Sequence, residues 1–417
     1  MRQHLERVLH LHAGSLAQPP PLPPPPHGET ELDGRYTHGV NTLEGWIARP
    51  DGMQRGTVHL NNQIEAVDVD GPIVAVPTDD APRILPGFID PHVHGGGGGD
   101  AMDGPDGVHS LANYHLRRGT TTLYPTTITN PWRNVLTALR GIDDVRQAQQ
   151  NELLPDLPGA HLEGPFISPN RLGAQPDEAV LPTPERVEAI LAMNVVRVVT
   201  LAPEIDGATE AALRMAKAGI RISIGHTRAS AETVQAFVEA VREAGGTIGF
   251  THLFNAMGGL GGREPGIVGA CLADPHAHAE IILDGHHVHV TSFLAAHAAL
   301  QDRLLLVTDA IRATGMGDGP SELGGQAIEV LDGKATLPSG TLAGSVLTMD
   351  QALRNAVTAG LPLAKAAHLT SGAAADYLGL TDRGRIEPGL RADIVTLDAN
   401  LHVQSVLTAG RNVPGIG

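Results

Sequence analysis

The stretch LPGFIDPHVHGGGGGD, from Leu85 to Asp100, constrains what this chain can fold into more than any other. It predicts a short apolar strand that ends in two histidines one residue apart, His92 and His94. Because residues i and i+2 of a strand point to the same side, both imidazoles project together, as a pair of metal ligands must. Glycines occupy positions 95–99 and let the chain leave the strand in conformations that a Cβ would forbid. Taken alone, the pair also fits an ordinary strand followed by a flexible loop.

The middle of the chain alternates between β-rich and helical patterns. Helical patterns such as 131–150, 184–193, 208–217 and 231–244 lie between most of the β-rich runs. These alternations predict an α/β fold, a (β/α)8 TIM-like barrel over residues 84–379. The β-rich runs are Ile84–His94, Thr120–Ile128, Gly159–Ile167, Val195–Glu204, Ile220–Thr227, Thr247–Asn255, Ala279–His287 and Leu304–Ala310.

The two ends of the chain differ from this middle part. Short β-like runs such as TLEGWIARPDG and RADIVTLD predict a small β-sandwich domain built from both termini, residues 37–83 plus 380–417. Residues 1–36 contain PPPLPPPP at Pro19–Pro26, which favours an extended polyproline helix and cannot form a packed core. We therefore predict a disordered tail there, with a motif for a proline-binding domain as the alternative.

Charge and cysteine content narrow the class of function. Lys plus Arg number 29 and Asp plus Glu 46, which gives a net charge of −17 and argues against general nucleic-acid binding. A phosphorylated small molecule remains compatible, because one or two local cations suffice to bind it. No stretch approaches the roughly 20 apolar residues of a membrane span, and the segment after Met1 lacks the pattern of a signal peptide. The single cysteine, Cys271, fits a reducing compartment, so we expect a cytoplasmic protein.

Polar residues fall at the ends of five predicted barrel strands, where such barrels place their functional groups. Burying these imidazoles and carboxylates without partners would be costly, so their number favours a metal site. Donors of this kind suit Zn, Fe, Co or Mn. With a metal-activated water and a carboxylate as general base and acid, such a site hydrolyses an amide, ester or amidine. The candidate ligands are His92, His94, Glu163, His226 and His252, and the candidate acid/base is Asp309.

The motifs PGFIDPHVHG and VTDA, with the strand-end histidines, resemble the amidohydrolase superfamily. HLEGPFISP, GHTRAS, THLFNAM, REPGIVGA, DGHHVHV and LAGSVLTMD follow in order and resemble the N-acetylglucosamine-6-phosphate deacetylase family. The resemblance covers about Leu43 to Gly410. It implies hydrolysis of the acetamide of N-acetylglucosamine 6-phosphate to glucosamine 6-phosphate and acetate.

The same resemblance implies roles for individual residues. Glu163, His226 and His252 would bind the tighter metal, and Asp309 would be the catalytic acid/base. Glu163 would stand where many amidohydrolases use a carboxylated lysine. Some family members lack the histidine pair of the first strand, whereas this chain retains it. One or two divalent ions per subunit are therefore expected.

Substrate-binding residues are also implied. Arg263 and His287 match positions that hold the sugar phosphate, and Asn255 and Ala256 match a contact to the sugar. Gln175 matches a position where the family often has a histidine near the acetyl group, and an amide can donate a hydrogen bond but cannot take up a proton. The resemblance further suggests a homodimer in which the phosphate-binding arginine reaches the neighbouring subunit's site.

Three alternatives use the same scaffold. Deacetylation of the galactosamine isomer, or of another N-acyl compound, needs the same metals and differs only in the sugar pocket. A deaminase or cyclic amidase gives the REPG and FNAM stretches no evident purpose. A catalytically inactive binding protein typically loses metal ligands or the final aspartate, and this chain retains both.

Overall fold

The computed structural model describes residues 41–149 and 152–416. The proline-rich segment 1–36, for which we predicted a disordered tail, lies outside the described residues. The described strands are β1 (Asn41–Arg49), β2 (Gly52–Leu60), β3 (Ile64–Val74), β4 (Arg83–Pro86), β5 (Phe88–Val93), β6 (Gly95–Gly96), β7 (Gly99–Asp100), β8 (Thr120–Thr127), β9 (Ala160–Glu163), β10 (Val196–Leu201), β11 (Arg221–Ile224), β12 (Ile248–Phe250), β13 (His278–Ile282), β14 (Leu304–Val307), β15 (Gly319–Leu323), β16 (Gln326–Leu331), β17 (Lys334–Thr336), β18 (Ile394–Leu397), β19 (Val403–Thr408) and β20 (Arg411–Asn412).

Eight parallel strands, β5 and β8 to β14, form the barrel in their chain order. Strand β14, Leu304–Val307, is apolar and buried throughout, because both faces of a parallel barrel strand are covered. The barrel closes where the backbone N–H of Asp309 donates to the carbonyl of His92 at 2.9 Å. This architecture confirms the predicted (β/α)8 barrel.

Strands from the two ends of the chain form a separate sheet. Its order is β20-β19-β18-β4-β1-β2-β3, so β4 and β1 from the N-terminal part lie beside β18 from the C-terminal part. Buried Ile47, Leu60 and Ile394 belong to a core cluster of its own. A sheet-rich domain built from both termini is therefore consistent with the prediction, with its strands hydrogen-bonded into one continuous sheet.

The first predicted β-run, Ile84–His94, is divided between these two sheets. Its start pairs with β1 and β18 in the terminal sheet, whereas β5 begins the barrel. Gly87 separates the two strands, and a Cβ there would collide with the side chain of Thr121. Hydrophobicity alone could not reveal this division, because both parts are equally apolar and buried.

Amphipathic helices cover the barrel. In the helix Ala231–Glu243 the buried residues Val234, Val238 and Val241 recur at helical spacing, and Ser230 accepts a hydrogen bond from the N–H of Thr233. The four predicted helical patterns match four helices to within two residues at each end: Trp132–Ala148, Pro184–Met193, Ala208–Lys217 and Ala231–Glu243. None of the described helices has both the length and the apolar character needed to cross a bilayer. The described α-helices are α1 (Pro105–Leu116), α2 (Trp132–Ala148), α3 (Pro184–Met193), α4 (Ala208–Lys217), α5 (Ala231–Glu243), α6 (Gly266–Ala273), α7 (Val290–Leu300), α8 (Met349–Thr358), α9 (Leu363–Ala367) and α10 (Ala373–Leu378).

Two elements near the barrel opening were not predicted. The glycine run forms the short antiparallel pair β6–β7 instead of an open loop, and a Cβ at Gly95 would collide with the backbone of Arg312. Strands β15 to β17 form a small antiparallel sheet. This sheet is tied to the barrel opening because Gln326 donates to the carbonyl of Ala174 at 2.7 Å, and because Leu323 lines the pocket there.

Candidate active site

Six buried side chains converge at the barrel opening formed by the carboxyl ends of its strands. Because the strands are parallel, these ends meet on one side of the barrel, although the residues lie far apart in sequence. Three of these residues lie in a strand, at its last position or directly after it. The other three lie two residues beyond the end of a strand. They are His92 in β5, His94 after β5, Glu163 at the end of β9, His226 after β11, His252 after β12 and Asp309 after β14.

The three residues that lie two positions beyond a strand share an unusual backbone. His226, His252 and Asp309 have φ values of 48°, 32° and 48°. Left-handed backbone at residues other than glycine costs on the order of 1–3 kcal/mol and persists only where the surrounding structure enforces it. Its recurrence at three strand ends around one opening marks this region as a functional site.

Glu163, His226 and His252 form a compact group. Oε1 of Glu163 lies 3.2 Å from Nε2 of His226 and 3.0 Å from Nε2 of His252, and the two nitrogens are 3.0 Å apart. Nδ1 of His226 donates to the carbonyl of Arg171 at 3.0 Å, which leaves Nε2 facing the group. In a tetrahedral site with bonds of about 2.0–2.1 Å, ligand atoms lie roughly 3.3 Å apart. The donor set and spacing therefore fit a divalent ion such as zinc.

A second group faces the other oxygen of Glu163. Nε2 of His94 lies 3.2 Å from Oε2 of Glu163 and 3.2 Å from Oδ1 of Asp309. Nε2 of His92 lies 3.3 Å from Nε2 of His94 and 3.6 Å from Oδ1 of Asp309. The carboxylate of Glu163 thus stands between the two groups: Oε2 faces His94, and Oε1, which contacts the first group, also lies 3.5 Å from Nε2 of His92. This position suits a ligand shared by both groups.

Opposite charges compensate one another in this buried site. Burial alone would lower the pKa of His94, but the hydrogen bonds and charges of Asp309 and Glu163 raise it to about 9. Burial alone would raise the pKa of Glu163, but the charge of His92 and the hydrogen bond of His226 hold it well below its usual range. Imidazolium protons thus balance the carboxylates, and a divalent ion would take over that role by displacing them.

Gln175 contacts the carboxylate of Glu163. Its Nε2 donates to Oε2 of Glu163 at 2.6 Å, and its Oε1 accepts from the backbone N–H of Thr129 at 2.7 Å. The side chain is therefore fixed at both ends and also lines the pocket. The structure places it beside the carboxylate that joins the two groups.

The pocket above these groups brings together most of the other predicted residues. Asn255, Ala256 and His287 line it together with His94 and Asp309. Apolar residues complete the wall: Ile128, Leu323 and Leu342.

Arg263, by contrast, is exposed and does not line the pocket within this chain. It lies in the loop that precedes α6. The structure therefore brings the predicted metal ligands, Asp309 and the other sugar-contacting candidates together, but not Arg263.

Two carboxylates at the site were missed from the sequence. Glu280, in the middle of β13, accepts a hydrogen bond from Nδ1 of His92 at 2.9 Å, and Asp284 accepts one from Nδ1 of His287 at 2.7 Å. A carboxylate inside the apolar run HAEII was a signal for Glu280, since a buried acid needs a partner. For Asp284 the only signal in the sequence was its position in the motif DGHHVHV, which also contains His287.

Comparisons with known proteins agree with this geometry. The sequence model of the amidohydrolase family matches residues 83–413. The N-acetylgalactosamine-6-phosphate deacetylase of Escherichia coli O157:H7 is 38% identical over 376 residues, which cover 89% of this chain and 96% of that protein. The N-acetylglucosamine-6-phosphate deacetylase of Bacillus subtilis (strain 168) is 36% identical over 381 residues, which cover 87% of this chain and 94% of that protein.

A solved structure of a deacetylase is also similar to this chain. A variant of N-acetyl-D-glucosamine-6-phosphate deacetylase from Mycobacterium smegmatis, in complex with N-acetyl-D-glucosamine-6-phosphate, superposes with a TM-score of 0.81 at 34% identity. The match covers 89% of this chain and 99% of that one. The similarity therefore extends over the terminal sheet as well as the barrel.

Proposed function

The chain belongs to the amidohydrolase family, and on that premise we propose that it hydrolyses the acetamide of N-acetylglucosamine 6-phosphate. The products are glucosamine 6-phosphate and acetate. The observation that carries the proposal is the double group of buried ligands around Glu163, placed at the floor of a pocket beside Asp309. The N-acetylglucosamine-6-phosphate deacetylase of Bacillus subtilis (strain 168), which aligns over 87% of this chain, supports the same activity.

Both groups would hold divalent ions. Glu163, His226 and His252 would hold one, and His92, His94 and Glu163 would hold another. Imidazole and carboxylate donors suit Zn, Fe, Co or Mn. A bound ion of this kind lowers the pKa of a coordinated water to about 7 and polarises the acetyl carbonyl.

Asp309 would move the proton. Its side chain is 11% exposed and faces His94, so it lies at the boundary between the ligand groups and the pocket. As a carboxylate it can accept the proton of the attacking water. It can then donate that proton to the sugar nitrogen, which turns a poor amide leaving group into an amine.

His287 would hold the anionic phosphate. Burial alone would lower the pKa of His287, but the charge and hydrogen bond of Asp284 raise it. The imidazole side chain, 6% exposed, lines the pocket. A protein with a net charge of −17 needs such a local cation to bind a phosphorylated sugar.

The assembly and the location of the protein stay predictions. Arg263 is exposed on the loop before α6, a position that suits contact with a neighbouring subunit's pocket in a homodimer. We propose a cytoplasmic location, which the single buried cysteine, Cys271, supports because it forms no disulfide.

Deacetylation of N-acetylgalactosamine 6-phosphate is a second candidate, because the relative of that name from Escherichia coli O157:H7 is 38% identical to this chain. The two substrates differ only in the orientation of one hydroxyl, at C4. The test is a panel of both N-acetylated sugars, each with and without the 6-phosphate, assayed for acetate release with metal content measured on the same sample. We expect the highest kcat/KM for N-acetylglucosamine 6-phosphate. Preference for the galactosamine isomer would favour the second candidate, and no acetate from a metal-loaded sample would exclude both.

A further inference from the structure

Glu280 contacts one residue of each ligand group, His92 and His252. It lies on β13, is 2% exposed, and its Oε2 accepts from Nδ1 of His92 at 2.9 Å. The same oxygen accepts from the backbone N–H of His252 at 3.2 Å. We propose that Glu280 is a positioning residue that creates the second metal site, by holding His92 in the tautomer whose Nε2 is free to bind an ion. This inference rests on the metal-dependent activity proposed above.

The tautomer of His92 matters because a neutral imidazole has one donor nitrogen and one acceptor nitrogen. A carboxylate can only accept, so Glu280 requires the proton to be on Nδ1. In the neutral ring that metal binding requires, Nε2 would present its lone pair toward the space shared with His94, Glu163 and Asp309, which lie 3.3, 3.5 and 3.6 Å from it. A proton on Nε2 instead would block that ligand position.

No other described side chain can take over this role. The ring of His161 packs edge-on against His92 at 4.7 Å, but its Nδ1 donates to the carbonyl of Pro91 and its Nε2 contacts the hydroxyl of Thr200. Asp90 accepts from the backbone N–H of His92 at 3.2 Å, not from its ring. Among the described residues, Glu280 is thus the acceptor for the Nδ1 proton.

The first group depends less on the Glu280 side chain. His252 is held by bonds that do not involve that carboxylate: the backbone N–H of Asn255 donates to the carbonyl of His252 at 3.0 Å, and the N–H of Leu253 donates to the backbone carbonyl of Glu280 at 2.8 Å. Loss of the carboxylate therefore removes the tautomer control of His92 and one hydrogen bond to the backbone of His252, while the other two backbone bonds remain.

The experiment is a Co²⁺ titration of the full chain after its metal has been removed. It measures how many equivalents of Co²⁺ bind and the affinity of each equivalent. The variants are Glu280→Leu, which removes the acceptor, and Glu280→Gln, which keeps an oxygen of the same shape. We expect two equivalents in the unmodified protein. Loss of an outer hydrogen-bond partner of a ligand typically weakens metal binding roughly 10–100-fold. We expect a loss of that size for the weaker equivalent in Glu280→Leu, a smaller loss in Glu280→Gln, and a smaller effect on the tighter equivalent, which loses only one backbone hydrogen bond at His252.

The control is a double-mutant cycle with His92→Asn. If Glu280 acts through His92, adding Glu280→Gln or Glu280→Leu to His92→Asn does not weaken the binding of the weaker equivalent any further. Wild-type affinity for both equivalents in Glu280→Leu would overturn the proposal, and so would losses that add in the double variant. Glu280→Gln keeps the test valid if Glu280→Leu does not fold. A single equivalent in the unmodified protein would also overturn it, whereas acetate release by that same sample would leave the proposed function standing.

Discussion

The backbone N–H of Asp309 donates to the carbonyl of His92 at 2.9 Å, and this bond joins the last barrel strand to the first. The side chain of Asp309 lies 3.2 Å from Nε2 of His94. The hydroxyl of Thr308 also donates to Asp90 at 2.6 Å across the same junction. The hydrogen bonds that close the barrel therefore also place the candidate acid/base beside the ligands.

Replacement of Asp309 by Asn tests the proton transfer. Asn is nearly isosteric with Asp but can neither accept the water proton nor deliver it to the leaving nitrogen. We expect kcat to fall by roughly 10²–10⁴-fold, the effect typical of losing a general acid/base. Metal content and substrate binding, measured on the same sample, should persist. Turnover within a fewfold of the unmodified enzyme would assign the proton transfer to another residue.

Replacement of Glu163 by Gln tests the ligand that faces both groups. The amide keeps the shape but loses the charge that balances the surrounding imidazoles, so metal content and acetate release should fall together. The matched control is Glu204→Gln, because Glu204 follows β10 but is exposed and bonds only to Thr227 and Arg228 among the described residues. Full metal content in Glu163→Gln would contradict the bridging position.

Replacement of Arg263 by Ala tests phosphate recognition across a dimer. We expect kcat/KM for the phosphorylated sugar to fall while the low rate on the unphosphorylated sugar changes little, because only the former offers an anionic group. Arg133→Ala, at an exposed arginine on α2, is the matched control. Equal losses on both sugars would argue against a phosphate contact, and sedimentation of the unmodified protein as a monomer would argue against a contribution from a neighbour.

Metal binding should release protons near neutral pH. Burial alone would lower the pKa of His94, but Asp309 and Glu163 raise it to about 9, so in the metal-free site this imidazole is protonated at pH 7. An incoming ion must displace that proton, and affinity should therefore rise with pH from 7 toward 9 and level off above. Calorimetric titration in two buffers of different ionisation enthalpy measures the protons released. If the affinity of the weaker metal equivalent does not change with pH, this charge balance is contradicted.

The sequence alone predicted the barrel and the candidate ligands and acid/base at its opening. Eight apolar runs in alternation with helical patterns specify parallel strands covered on both faces, and the carboxyl ends of such strands meet on one side. The spacing of His92 and His94 then places two imidazoles together by local geometry. The motifs around Glu163 and Asp309 carried the resemblance to a deacetylase family, and the comparisons confirm that family.

Only the tertiary structure decided how those residues are supported. The bond from His92 to Glu280 joins residues 188 positions apart, and the bond from Gln175 to Glu163 depends on how a loop folds back over a strand end. Neither leaves a periodic or local signal, because the partner of a buried polar group is selected by three-dimensional proximity. The same reason explains the division of the first β-run at Gly87 and the position of Arg263 outside its own pocket. Local pattern thus predicted the candidate ligands and the acid/base, and long-range packing determined which partners hold them.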